Sequence, residues 1–308
     1  MNEESRTPLS KFSFGVSPAY FFSRFTTDFT VDQIASALPD LKQMGFEGFQ
    51  LEIYHAERMG EWESKGAMLA SRARETGLIP TQFVAHFLLH GFESREALES
   101  SFGIEEIKRV VEILHYFPEC KVVTVPLPAF QVTPGFSWGR KEYADAYGRL
   151  VEKISFQLEI VESAGVRMAL EIVPFSLLGG IEGLLRLRSR LGSSSLGYNL
   201  DTGHAFSSKE VLPLVPARLS QDGTCCIYGT HLKDNWGTEN LALSPGKGGV
   251  PWKDLLQNLF YAGYRGSLDL EIACRAEEVD EEYRRGLRFL QDIVDNLDPG
   301  KPEGSPQE

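Results

Sequence analysis

Two rhythms of apolar residues alternate along the chain. Short runs rich in β-branched and aromatic residues cover 12–17, 47–53, 79–86, 121–126, 167–173, 195–201, 226–232 and 267–272, and each predicts a strand. Between them lie longer stretches with an apolar residue every three or four positions. Examples are Tyr143, Tyr147, Leu150, Ile154, Leu158 and Val161 within 141–164, and Tyr283, Leu287, Leu290 and Val294 in the closing segment. Such spacing places one stripe on one face of a helix. Thr30 is a predicted N-cap, Gly45 follows the first helix, and Gly165 and Gly263 stand just ahead of the next strands. Pro39 falls inside the first helical stretch and predicts a kink or a break, because proline lacks the N–H that a helix interior needs.

Eight strands alternating with helices can form a closed barrel or an open sheet covered on both faces, and periodicity does not separate the two. Polar residues do. Glu171, Asp201, His231 and Glu271 stand near the ends of four successive strand runs, 30, 30 and 40 residues apart. One parallel strand-helix unit takes roughly 30 residues, so the four can emerge side by side at one end of a sheet. Only closure also brings the first three strands around that cavity, which predicts a (β/α)8 TIM barrel with its chemistry at the C-terminal mouth. Neither GxGxxG nor GxxxxGK[ST] follows the first strand, so the nucleotide-binding folds lose their usual support.

A length of 308 residues accommodates this as one large domain, predicted over 11–295. A flexible segment is expected over 1–10, and the Pro, Gly and polar content of 296–308 predicts a disordered tail. With 31 basic against 43 acidic residues the net charge is −12 and no basic cluster stands out, which argues against a nucleic-acid partner. The N-terminal residues lack the basic and apolar pattern of a signal peptide, and no apolar run approaches the ~18 residues of a membrane span. A cytoplasmic protein without membrane attachment is the expectation. Cys120, Cys225, Cys226 and Cys274 show no paired metal spacing and are expected to be reduced thiols with packing roles.

Alternate residues of a strand share a face. Glu171 is thus in phase with Ala169 and Val173, Asp201 with Asn199, and His231 with Lys233. Three oxygen donors and one nitrogen donor suit one divalent ion, Mn²⁺ before Mg²⁺, Co²⁺ or Zn²⁺. Any one of these carboxylates alone reads equally well as a helix cap or a solvated loop charge. Four in register, with the only Asp-x-x-His of the chain at one of them, favour a site.

The strings FGVSP, GFEGFQLE, LEIVP, LDTGHA, HLKDN, PGKGGVPW and LDLEI make nearly the whole chain resemble the xylose isomerase-like barrel superfamily. The branch it resembles holds sugar-phosphate isomerases and epimerases, including ketose 3-epimerases, hydroxypyruvate isomerase and inosose dehydratase. The resemblance implies that Glu171, Asp201, His231 and Glu271 bind one divalent metal, that His204 lines the substrate site, and that Glu171 and Glu271 also carry protons. It implies a metal-dependent isomerase or epimerase of a sugar or sugar phosphate. A dehydratase or lyase acting on a keto-sugar or keto-cyclitol is the alternative. A small carbohydrate is then the partner, and a homo-oligomer is expected by analogy. Two positions depart from the epimerase pattern: Gly237 stands where those enzymes carry an arginine, and Leu177 where they carry a second glutamate. Lys233 and Asp234 look more like the dehydratase branch. DTGHA also resembles the metal site of type IV AP endonucleases, but the fourth strand offers no histidine of the kind those enzymes need.

Further candidates keep two readings each. Lys233 either holds a substrate group or acts as an acid, or it pairs with Asp269. Glu52, Gln50 and His86 either bond a sugar or belong to a structural polar network. Trp236 either stacks on a sugar or caps the barrel. Tyr20, Phe21 and Phe22 wall the pocket or pack the core. The PGKGG loop is a phosphate cradle at a helix start or, as favoured, a tight turn. His55, His90 and His115 have no partner pattern and are expected at the surface.

Overall fold

The computed structural model describes residues 12–221, 223–298 and 300. Eight strands, β1 (Ser13–Val16), β2 (Gly48–Glu52), β3 (Ile79–Val84), β4 (Val122–Leu127), β5 (Arg167–Ile172), β6 (Leu196–Asp201), β7 (Ile227–His231) and β8 (Ser267–Leu270), form one sheet. Its order is β7-β6-β5-β4-β3-β2-β1-β8, with every paired neighbour parallel. The last seam is slighter. β7 and β8 meet through a parallel bridge between Leu232 and Leu270, in which Leu232 N donates to Asp269 O (2.8 Å) and Glu271 N donates to Leu232 O (2.9 Å). The Thr230 hydroxyl stitches the same seam, donating to Ser267 O at 3.0 Å and accepting from Asp269 N at 2.9 Å. This is a TIM barrel, and each strand lies within two residues of its predicted ends.

Helices cover the outside because their stripes are apolar and strand-facing. Thr30 caps the helix Val31–Met44 in a reciprocal box with Gln33, and Gly45 ends it at φ 101. The break predicted at Pro39 does not occur: the helix runs through it. Val31, Ile34, Leu38 and Leu41 are all buried on its inner face, and their burial outweighs one missing backbone hydrogen bond. In the helix Arg140–Ser163 the predicted stripe is buried from Leu150 onward, whereas Tyr143 is exposed. Of the expected tail, Leu297 packs against the core and Asp298 exchanges hydrogen bonds with Gln257 at 2.8 and 2.9 Å. Residues 301–308 and the N-terminal 1–11 lie outside the described residues.

Inside the barrel, polar groups replace part of the usual aliphatic filling. Asp269 on β8 is fully enclosed and accepts from Gln50 Nε2 (2.8 Å), Thr81 Oγ1 (2.8 Å) and Ser267 Oγ. Burial raises its pKa, against the pull of Gln50 and its other donors. A second group links Thr124 to Gln82 (2.7 Å) and Gln82 to Asn199 (3.1 Å). Gly15 on β1 leaves the room that Asp269 uses, since a Cβ there would lie 2.1 Å from Asp269 Oδ1. Gly15→Ala is therefore expected to destabilise the fold by about 1–3 kcal/mol through overpacking, measured as a lower midpoint in urea unfolding. A midpoint equal to wild type would show that the Asp269 cluster can move aside.

Candidate metal centre

Glu171 lies on β5, Asp201 and His231 end β6 and β7, and Glu271 directly follows β8. Asp201 and His231 are register partners, so these two side chains leave the sheet together. The structure brings all four predicted residues to one place: one ligand atom from each lies within 4.8 Å of the others. His231 Nδ1 is 3.1 Å from Glu271 Oε2, 3.2 Å from Glu171 Oε2 and 3.9 Å from Asp201 Oδ2. Bonds of about 2.0–2.2 Å to one shared ion need only a slight contraction of this set.

The donor atoms fit an ion in chemistry as well as spacing. His231 Nδ1, Asp201 Oδ2 and Glu271 Oε2 are buried and, apart from ion-pair contacts with one another, with Glu171 and with Lys233, find no protein hydrogen-bond partner, an arrangement that leaves room for a further ligand. The tautomer is also set. Gln50 gives its amide hydrogens to Asp269 and to Thr230 O, which turns Gln50 Oε1 toward His231 Nε2 at 2.9 Å. Nε2 must therefore carry hydrogen, and Nδ1 is left to face the carboxylates. Asp201 has two tasks at once: Oδ1 caps the helix Thr202–Ser207 by accepting from His204 N at 2.8 Å, while Oδ2 points into the cluster.

Three carboxylates so close require positive charge. Lys233, buried beside β7, places its ammonium 2.7 Å from Asp201 Oδ2 and 3.1 Å from Glu271 Oε2. It does not pair with Asp269, whose donors come from Gln50, Thr81 and Ser267. Burial works against charge on Lys233, but Asp201 and Glu271 raise its pKa above the usual lysine value. Burial likewise opposes ionisation of Glu271, yet Lys233 and His231 pull it down to about 2. Glu171 is held well below the carboxylate range despite burial, through His231 and His204, whereas burial wins at Asp201 and raises it. For His231 burial disfavours the cation, and Glu171 and Glu271 overcome it, lifting the pKa well above the ordinary imidazole value.

A cavity of about 200 Å³ stands over this cluster, lined also by Phe22, Glu52, Tyr54, His86, His204 and Asn240. His204 Nε2 is 3.4 Å from Glu171 Oε1 and 3.5 Å from Asp201 Oδ2. Glu52 is raised well above the carboxylate range by burial and by Glu271, and its Oε1 stands 3.6 Å from His86 Nδ1. His86 stacks on Tyr54 with ring centroids 4.1 Å apart and is lowered to about 4 by burial. Gln50 belongs to the structural network that orients His231. Tyr54 and Asn240 were not singled out in the sequence. Tyr54 lies two residues past Glu52, just beyond the end of β2, and Asn240 sits in an irregular loop.

Other candidates land elsewhere. Trp236 is 64 % exposed and lines neither this cavity nor its neighbour. Tyr20 and Phe21 are core residues, and only Phe22 reaches the pocket. The PGKGG loop folds around a carboxylate of the protein itself: Asp234 accepts from Asn235 N, Gly246 N, Val250 N and Trp252 Nε1 at 2.9–3.0 Å. Gly237 turns at φ 78 with the Phe206 ring 3.2 Å from where a Cβ would stand, so a side chain is strained there. Leu177 packs against the core. His90 and His115 are exposed, and His55 stacks edge-on against Tyr54. Among the described residues the four cysteines form no disulfide. Among the described residues no helix is long and apolar enough to cross a membrane.

Residues 38–293 match the family model of the xylose isomerase-like TIM barrel, and the chain belongs to this family. A curated relative, the uncharacterized protein MJ1311 of Methanocaldococcus jannaschii, is 31% identical over 134 residues, which cover 41% of this chain and 45% of that protein. The matched part thus spans less than half of the relative. Among solved structures, a D-psicose 3-epimerase studied with D-fructose superposes with a TM-score of 0.69 at 15% identity, covering 92% of this chain and 99% of that one. The 3-keto-D-glucoside 4-epimerase YcjR of E. coli gives 0.69 at 18% identity, with 92% and 100% covered. The IOLI protein with a bound zinc atom gives 0.68 at 16%, with 94% and 100% covered. At these identities the likeness is one of fold.

The raised His231 pKa has a measurable consequence. Its stabilising contribution in metal-free protein is full below the unfolded value near 6.5 and fades as pH rises through the folded pKa. An ion taking Nδ1 must displace that proton. Calorimetric titration with Mn²⁺ at pH 7, in buffers of different ionisation enthalpy, is expected to show about one proton released per ion, with affinity rising about tenfold per pH unit near neutrality. Binding without proton release would mean that the imidazole is already neutral.

Proposed function

We propose that the protein is a metal-dependent isomerase or epimerase of a small carbohydrate. The observation that carries this reading is the approach of two carboxylates, Glu171 and Glu271, to the same His231 nitrogen at the floor of a polar cavity. Sugar epimerases and a zinc-binding protein among the structural neighbours support it. A divalent ion held by Glu171, Asp201, His231 and Glu271, with Mn²⁺ as first choice, supplies Lewis-acid polarisation of a carbonyl and its neighbouring hydroxyl.

The chain's own groups then handle the proton. One carboxylate, Glu171 or Glu271, removes it from the carbon beside the carbonyl, and the other returns it from the opposite side, which inverts the centre. Return to the adjacent carbon by the same group gives an aldose-ketose pair instead. Glu52 and His86, the latter a neutral imidazole, offer hydrogen bonds to sugar hydroxyls. Lys233 holds Glu271 in place through its 3.1 Å contact, and His204 does the same for Glu171.

A second reading, elimination from a keto-sugar, is favoured by one observation: the Lys233 ammonium stands among the carboxylates and can neutralise a leaving oxygen. The two are separated by product. Mn²⁺-loaded protein screened over ketoses and 3-keto sugars in D₂O is expected to incorporate deuterium at carbon without loss of mass. In Glu271→Gln the exchange rate should fall by roughly 10²–10⁴. Release of water or of an aglycone with no epimer would select elimination, and wild-type exchange in Glu271→Gln would remove that glutamate from the chemistry.

A further inference from the structure

The space above the metal centre does not end at His204. Val173, His204 and Asn240 line it and also line a second cleft of about 820 Å³, which opens between the segments that follow β5, β6 and β7. The inner chamber is smaller than the roughly 300–1,000 Å³ typical of ligand sites, and the outer cleft lies within that range. One sugar ring suits the first. The second has room for at least as much again.

The outer wall is held in an unusual conformation. Among the described residues four other than glycine have positive φ, and two of them, Phe175 (φ 69) and Lys209 (φ 65), line this cleft. The backbone around Phe175 is fixed from both sides, with Phe130 N donating to Phe175 O and Val173 N donating to Leu127 O, each at 3.0 Å. Its ring packs on little, being 90 % exposed. A strained residue presenting an aromatic face beside a site is better explained by what it binds than by what it packs. The Lys209 ammonium donates to the Gly237 carbonyl, tying the segment after β6 to the loop after β7. Glu210 is paired with Arg218.

From this we infer that the substrate is a glycoside of two parts, a deepening of the carbohydrate reading above and dependent on it. The reacting sugar occupies the inner chamber. The second ring passes His204 and Asn240 and lays its apolar face on Phe175. A pyranose or an aryl group presents such a face, so the test carries both.

The test is affinity, not turnover. Mg²⁺-loaded full-length protein is titrated calorimetrically with methyl glycosides of glucose, galactose and mannose, with their 4-nitrophenyl glycosides, and with disaccharides of the same sugars. At least one two-ring ligand is expected to bind about tenfold more tightly than the methyl glycoside of the same sugar. Phe175→Gly should abolish that increment and leave methyl glycoside binding as it was. Glycine adopts φ 69 without strain, so an unchanged or higher melting temperature in this variant assigns the loss to the cleft. Whether the aryl or the disaccharide arm shows the increment identifies the second ring. Equal affinities, no binding across the panel, or an increment that survives Phe175→Gly would overturn the inference. Deuterium exchange plays no part in this measurement, so failure of the proton-transfer reading and failure of the two-ring reading are told apart.

Discussion

Crowding of negative charge at the mouth of the barrel is the constraint around which the molecule is arranged. Glu171, Asp201 and Glu271 are brought within a few ångströms of one another in a place where water cannot screen them. Two protein cations answer this, the Lys233 ammonium and the His231 imidazolium. They are not equivalent. The lysine bridges Asp201 and Glu271, while the imidazole Nδ1 faces the point on which all three carboxylates converge. The polar filling of the barrel follows from the same need, because Asp269 fixes Gln50, and Gln50 fixes the imidazole ring.

Much of this was legible in the sequence, for a definable reason. Strand ends recur at the stride of the strand-helix unit, so the interval between Glu171, Asp201, His231 and Glu271 carried both topology and site. Alternation along β2 placed Gln50 and Glu52 on the inner face, though it could not say that the first would serve the imidazole and the second the cavity. Pro39 misled because a local rule about backbone donors met a helix whose inner face is wholly buried. Lys233 was placed in the right phase, but its partner depended on the stagger between β7 and β8, which residue spacing does not encode. Tyr54, Asn240 and Phe175 sit on irregular segments, where no period exists to read.

Asp234 shows how a motif can look functional and be internal. Its carboxylate gathers three backbone N–H groups and an indole N–H, so the glycine-rich loop after β7 is a cradle already filled by the protein. The same loop region explains the missing arginine. At Gly237 the backbone turns through a left-handed conformation against Phe206, which leaves no unstrained place for a long side chain.

The closure between β7 and β8 bears on the geometry of the candidate metal centre. Every other neighbouring pair of strands is joined by a ladder, whereas this one rests on a bridge at Leu232 and Leu270 and on the Thr230 hydroxyl. His231 and Glu271 hang from its two sides. The gap between imidazole and carboxylate spans this seam, whereas Glu171 and Asp201 stand on β5 and β6, which are joined by a regular ladder. The reach between these two side chains is thus a property of how the barrel is joined, not only of which side chains line it.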